Sequence, residues 1–192
     1  VSRCNAKEAG IMTRSRIWLT SDPHFHHANL LRGGKIAIRP FNTLDEMHDC
    51  LVSRWNDVVQ PHDKVYVLGD ITLKRKPEYL SIIAQLKGHK RLIMGNHDRM
   101  PVQDYVAAGF EKVMAYRAFG RAHPVILSHI PVHPSQFARF TGNIHGHTHA
   151  RYVTVQGHIE TFCEVDSRYE NVCVEVRNYT PVLLDEALAF FA

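Results

Sequence analysis

Apolar runs in this chain stop abruptly, and several stop on the same kinds of polar residue. Ile17-Trp18-Leu19 runs into Thr20-Ser21-Asp22-Pro23-His24, Val65-Tyr66-Val67-Leu68 into Gly69-Asp70, and Arg91-Leu92-Ile93-Met94 into Gly95-Asn96-His97-Asp98. Short apolar runs bounded by turn residues predict buried strands. Helical signals lie between them. Thr43 and Glu46 form a capping box, and Leu44, Met47, Leu51, Trp55 and Val58 follow near helical spacing, so a helix there packs one face on a sheet. Pro77 opens a second helix through Leu80, Ile83 and Leu86, and Gly88 follows its end. A third helix is predicted from Pro101 to Ala108, with Gly109 as its stop.

Beyond Val113 the alternation of strand and helix gives way to strands. Candidates are Val113 to Phe119, Pro124 to Leu127, Tyr152 to Val155 and Val172 to Val176, with a closing helix over Asp185 to Phe190. A chain that is half alternating and half strand-rich predicts two packed sheets with helices outside. No linker, internal repeat or low-complexity segment interrupts the pattern, so one domain is expected over residues 12–192. Met12, followed by Thr13-Arg14-Ser15-Arg16, reads as a start, which makes residues 1–11 an N-terminal extension.

Composition narrows the class without naming a function. At 192 residues the chain suits one sizeable core. A hydrophobic share of 45% with 22% charged residues excludes disordered and fibrous classes. No apolar run is long enough to span a membrane, and the polar, basic N-terminus lacks the core of a secretory signal. Cys4, Cys50, Cys163 and Cys173 form no C-x-x-C pair or disulfide framework, so reduced thiols and a cytoplasmic setting are expected. The net charge of +4 is mild. Lys74-Arg75-Lys76 and Lys87, Lys90 and Arg91 suit an anionic substrate, but solvated basic loops are the commoner explanation.

The fourteen histidines change the picture, because they gather where apolar runs end. Asp22-x-His24, Gly69-Asp70 and Gly95-Asn96-His97-Asp98 each follow a predicted strand, and Leu127-Ser128-His129 and Gly146-His147-Thr148-His149 repeat the design. Ligands of open α/β sheets collect at the carboxyl ends of strands, so these loops can converge. Imidazole, carboxylate and amide oxygen together favour manganese, iron, zinc or nickel over calcium and magnesium. Asp22, His24, Asp70, Asn96, His129, His147 and His149 suffice for two cations if one carboxylate bridges. Asp70 is the natural bridge, since a shared anion relieves repulsion between dications. Singly, an Asp-x-His or a Gly-Asp carries little weight. Five such segments, in order and each following a strand, leave accident a poor explanation. His26, His133, His145 and His158 read as structural.

The series Asp-x-His, Gly-Asp, Gly-Asn-His-Asp, His and Gly-His-x-His resembles the signature of calcineurin-like metallophosphoesterases, from Asp22 to His149. Thr20-Ser21-Asp22-x-His24-Phe25-x-His27-x-Asn29, Arg39-Pro40-Phe41 and Asn171-Val172-Cys173-Val174-Glu175 resemble a small, uncapped bacterial and phage subgroup. The resemblance implies a four-layer α/β/β/α sandwich of two mixed β-sheets. It places Asp22, His24, Asp70 and His149 on one metal and Asp70, Asn96, His129 and His147 on the other, with manganese expected first. It implies hydrolysis of phosphate mono- or diesters by a hydroxide held between the metals, attacking in line without a covalent intermediate. His97 becomes the general acid or the group that stabilises the leaving oxygen, and Asp98 its orienting carboxylate, with a simple turn cap the other reading of Asp98. His27, Asn29 and Arg39 become phosphate contacts. The expected partner is a phosphate ester, with a nucleotide or nucleic-acid end within range, and no membrane. Two alternatives stand beside it. A nuclease on the same centre needs a long basic groove or stacking aromatics, which the sequence lacks. A non-catalytic interaction module conflicts with the intact ligand set.

Overall fold

The structure, a computed structural model, describes residues 14–121, 124–156, 158–160 and 164–191. The extension read over residues 1–11, the start at Met12, Cys4 and Cys163 all lie outside the described residues. Among those residues, no helix is long and apolar enough to cross a membrane.

The protein is an α/β sandwich with two mixed sheets. In the first, β1 (Ile17–Thr20), β2 (Lys64–Val67), β3 (His89–Ile93) and β4 (Phe110–Met114) run parallel, and β11 (Val182–Leu183) pairs antiparallel with β1. In the second, β6 (Val125–Ser128), β7 (Gly142–His145) and β10 (Tyr169–Asn171) are parallel, with β5 (Arg117–Phe119) antiparallel on the edge. A small hairpin, β8 (Tyr152–Val153) and β9 (Ile159–Glu160), stands apart.

Strand alternation divides the core into two. Trp18, Val65, Val67 and Leu92 pack on one face of the first sheet against Met47, Leu51 and Trp55 of α1 (Leu44–Val58) and Tyr105 of α2 (Val102–Ala107). Their neighbours Leu19, Tyr66, Leu68 and Ile93 point the other way and meet Val125, Leu127 and Ile144 between the sheets. Leu184 and Ala187 of α3 (Leu184–Ala189) join that second cluster. Beside Tyr169 of the second sheet lies a single helical turn, Pro134–Ala138, whose Phe137 ring is 5.1 Å from the Tyr169 ring.

Several predicted elements take a different form in the fold. The capping box at α1 forms in part: Thr43 Oγ1 accepts from Glu46 N at 3.1 Å, but the Glu46 carboxylate reaches Asn42 N instead of Thr43. Pro77–Gln85 is a 3₁₀ helix. Leu80, Ile83 and Leu86 recur every third residue, the period that aligns side chains in a 3₁₀ helix and drifts in an α-helix. The run Val113 to Phe119 is two strands in different sheets, since the chain turns at Ala115-Tyr116 from the end of β4 into β5. Val172 to Val176 is not a strand. Val172 N donates to the His145 carbonyl at 2.9 Å, Cys173 bridges to Ser21, and Val174–Arg177 closes as a 3₁₀ turn. That segment crosses from the second sheet to the first, directly over the loops that carry the histidines.

Candidate metal centre

The five ligand-bearing loops converge. Asp22 and His24 follow β1, Asp70 follows β2, Asn96 follows β3, His129 follows β6, and His147 and His149 follow β7. These strands are parallel within each sheet, so their carboxyl ends point toward one rim. Both sheets therefore contribute. Asp22, His24 and His149 offer ligand atoms within 4.8 Å of one another, as do Asp70, His129 and His147. Asp70 Oδ2 links the two groups, 3.6 Å from His24 Nε2 and 3.5 Å from His129 Nε2. Asn96 Oδ1 lies 2.9 Å from the same His129 nitrogen.

Backbone conformation marks the same residues. Asp22 (φ 58), His24 (φ 47), Asp70 (φ 58), His147 (φ 69) and His149 (φ 54) are all left-handed. Non-glycine residues enter this region at a cost of about 1–2 kcal/mol each, and such strain concentrates at functional sites. Two glycines let the loops meet. A Cβ on Gly95 would overlap Asp70 Oδ1 and lie 2.6 Å from Asp70 N, and one on Gly146 would overlap Ser21 Oγ.

The imidazoles are aimed by what holds their other nitrogens. His129 Nδ1 donates to the Leu68 carbonyl at 2.7 Å, which leaves Nε2 facing the centre. His149 Nδ1 donates to Glu175 Oε1 at 3.0 Å. Asp22 is fully buried; its Oδ2 accepts from Ser21 Oγ (2.6 Å), His147 N (2.7 Å) and Cys173 Sγ (3.3 Å). Its Oδ1 and His24 Nδ1 are buried without a hydrogen-bond partner. His24 Nε2 lies 3.5 Å from Asp22 Oδ1, close but beyond hydrogen-bond length for a well-made pair. Burial works against the Asp22 and Asp70 charges, yet the surrounding imidazoles hold both carboxylates below their ordinary range. Burial alone would lower His129, but the Asp70 carboxylate 3.5 Å from its Nε2 and the charge of Asp22 draw it up to about 9. A proton and a cation compete for that Nε2 seat. Buried carboxylates, inward-facing imidazole nitrogens and an unpartnered Asp22 oxygen fit divalent metal, and both clusters can bind such ions.

The remaining predicted residues divide. His97 stands at the rim with its side chain 36% exposed and Nε2 4.0 Å from Asp70 Oδ2, while its backbone N–H donates to Asp70 Oδ1 at 2.9 Å. His27 packs its ring 5.6 Å from His24, and burial followed by its cationic neighbours pushes it down to about 4. Asn29 is exposed, and its carbonyl accepts from Ile36 and Ala37 N–H. Asp98 does not orient His97. Its Oδ2 accepts from Asp70 N and Gly95 N, both at 2.8 Å, and its Oδ1 from Ile71 N at 3.0 Å, so it ties the β2 and β3 loops together.

Arg39 corrects the phosphate assignment. Its guanidinium is fully buried and occupied: NH1 donates to the Pro23 carbonyl (2.7 Å), NH2 to the Asp22 carbonyl (2.6 Å), and Nε and NH2 to Glu175 Oε1 (2.9 and 2.7 Å). It braces the Asp22 loop from behind. Glu175, given no role from the sequence, therefore joins Arg39 to His149. The one hint was its place in the run Asn171-Val172-Cys173-Val174-Glu175, one of those that carry the resemblance. Asn171 is a second such residue; its amide donates to the His149 carbonyl at 2.8 Å and to Thr148 Oγ1 at 2.9 Å. Among the structural histidines, His145 is buried and donates from Nδ1 to the Gly146 carbonyl, with burial pushing it down to about 4. The described cysteines, Cys50 and Cys173, are free, and Cys173 is buried.

An α/β sandwich with paired His/Asp clusters at the strand ends defines a candidate metalloprotein. The chain is 34% identical to the uncharacterized protein MJ1445 of Methanocaldococcus jannaschii over 179 residues, 91% of this chain and 90% of that protein. It is 31% identical to the Gene 66 protein of Mycobacterium phage L5 over 166 residues, 71% of this chain and 78% of that protein. It belongs to the family of these proteins. A protein of unknown function from Aquifex aeolicus, AQ665, shares the fold, with a TM-score of 0.65 and 24% identity over 92% of this chain and 99% of that one. No family model matches the sequence.

Proposed function

We propose that this protein is a phosphoesterase that works with two divalent transition metals, manganese first among them, on phosphate mono- or diesters. The observation that carries the reading is the meeting of two ligand clusters at one carboxylate, Asp70. The ordered ligand series, which resembles that of calcineurin-like metallophosphoesterases, supports it. Asp22, His24, Asp70 and His149 would hold one metal, and Asp70, Asn96, His129 and His147 the other. When bound, such a pair supplies Lewis-acid stabilisation of phosphoryl oxygens and a water acidic enough to attack near neutral pH.

The chain's own groups do the rest. Leu68 and Glu175 hold His129 and His149 in the tautomers that present Nε2 to the centre. Arg39 and Asp98 fix the loops of Asp22 and Asp70 so that the ligands stay preorganised. His97, at the rim and without a place in either cluster, holds the proton that the leaving oxygen takes up. Its backbone N–H on Asp70 Oδ1 keeps it beside the bridging carboxylate.

Metal analysis of protein purified without chelator, joined to a manganese-supplemented screen of para-nitrophenyl mono- and diesters and cyclic nucleotides, tests the reading. Two metals per chain and turnover of at least one ester are expected. Asp70→Asn should lose metal at both clusters and nearly all turnover. Normal stoichiometry and turnover in that variant would refute the shared ligand, and no turnover by metal-replete wild type would refute the esterase.

A further inference from the structure

Beside His147 the centre opens into a cleft of about 290 Å³ that the hydrolytic chemistry leaves unused. Its walls come from three places. Ile130, Val132 and Pro134 lie on the chain after His129, Val153 and Ile159 on the β8–β9 hairpin, and Tyr169 on β10. His147 lines the cleft and also belongs to the cluster of Asp70 and His129. An ester whose phosphorus sits at the metals can thus place its organic part here.

The lining decides what that part is. Among the described residues that line the cleft, none is Asp, Glu, Lys or Arg, so the described lining offers no full charge to pair with a second phosphate. Its main polar wall groups are already engaged. Tyr169 Oη donates to the Val132 carbonyl at 2.7 Å, and Val132 N donates to Asn143 Oδ1 at 2.9 Å. Asn143 is itself fully buried, with Nδ2 donating to the Ile126 carbonyl and Ser128 Oγ, both at 3.0 Å. The wall is therefore braced before any ligand arrives, which lowers the ordering cost of binding. Apart from the imidazoles of His133 and His147, the faces that remain are apolar, and Ile130 and Ile159 are 53% and 39% exposed. A braced apolar cleft with few free polar groups is the common form of a site for a flat organic group.

We propose that this cleft is the leaving-group subsite and that it selects phosphate esters carrying a flat, uncharged ring. The proposal rests on the phosphoesterase reading and adds the substrate class to it. An aryl group and a nucleobase share this chemistry, and the test separates them.

Zinc-loaded protein with labelled isoleucine and valine methyls is titrated with phenylphosphonate, methylphosphonate and a nucleoside 5′-monophosphate, followed by NMR. Phenylphosphonate should bind about tenfold tighter than methylphosphonate, the order expected for burying one ring, and should shift the methyl signals of Ile130, Val153 and Ile159. Ile159→Asp, on the exposed hairpin, should remove most of that preference. Tighter binding of the nucleotide than of phenylphosphonate, with the same shifts, identifies the ring as a nucleobase; the reverse order identifies an aryl group. Equal affinity for methyl and phenyl, or shifts confined to other methyls, overturns the subsite and leaves the esterase reading standing. If neither phosphonate binds, the esterase reading falls and the subsite with it.

Discussion

At the scale of single residues, the sequence could show which side chains ligate but not which ones stand behind them. Asp22, His24, Asp70, Asn96, His129, His147 and His149 were legible because each sits on a short segment rich in ligand-type residues, and all but His147 and His149 follow an apolar run. Arg39 and Glu175 were not, because a fully buried ion pair looks in sequence like two ordinary charges 136 residues apart. Replacing Arg39 with Ala should destabilise the fold by about 3–5 kcal/mol, since it strands a buried Glu175 charge; a shift in the urea midpoint reads it. A solvent-facing phosphate contact would instead raise KM and leave that midpoint unchanged. His97 calls for the opposite signature. Its alanine variant should keep the wild-type metal content while kcat on an alkyl ester falls about 10²–10⁴-fold, the usual worth of general acid catalysis. With para-nitrophenolate, which leaves without a proton, the loss should be much smaller. Equal loss on both esters would leave positioning, not proton donation, as its role.

At the scale of elements, four of the five strands that carry ligands were legible, and the places where the chain changes sheets were not. Val113 to Phe119 reads as one run because alternation reports burial, and both sheets bury alternate residues. Nothing in that pattern marks the turn at Ala115-Tyr116. The same limit hid the crossing at Val172 to Val176, whose apolar residues serve two sheets in succession. β7 was missed because Gly142-Asn143-Ile144-His145 is mostly polar, although all four residues are buried. The glycines were read more successfully. Gly95 sits where the β3 loop passes the Asp70 backbone, and a methyl there would meet atoms that cannot swing aside. Gly95→Ala should therefore push the β2 and β3 loops apart. Metal content at the Asp70, His129 and His147 cluster is expected to fall well below wild type, with the far-UV circular dichroism spectrum preserved. Full metal content would mean that the loops have slack the contacts do not show.

At the scale of the whole molecule, the centre lies on the seam between the two sheets. Asp22, His24, Asp70 and Asn96 come from the first sheet, and His129, His147 and His149 from the second. The apolar layer of Leu19, Leu68, Leu127 and Ile144 holds the sheets together below that rim, but at the rim the facing groups are carboxylates and imidazoles. Bound cations would join the sheets where the apolar layer ends, and a ligand that binds only the folded chain stabilises it by mass action. At free metal about a hundredfold above its dissociation constant, one site adds about 2.7 kcal/mol. For a domain of this length each kcal/mol raises Tm by about 2–4 °C, so each bound manganese should lift the melting temperature by about 5–10 °C and two by about twice that, and EDTA should reverse the gain. Asp70→Asn distinguishes this account from nonspecific ion effects, because it removes the shared ligand while leaving the net surface charge almost unchanged. Its melting temperature should respond little to either reagent. A variant that gains as much from manganese as wild type would place the stabilising ions somewhere other than the seam.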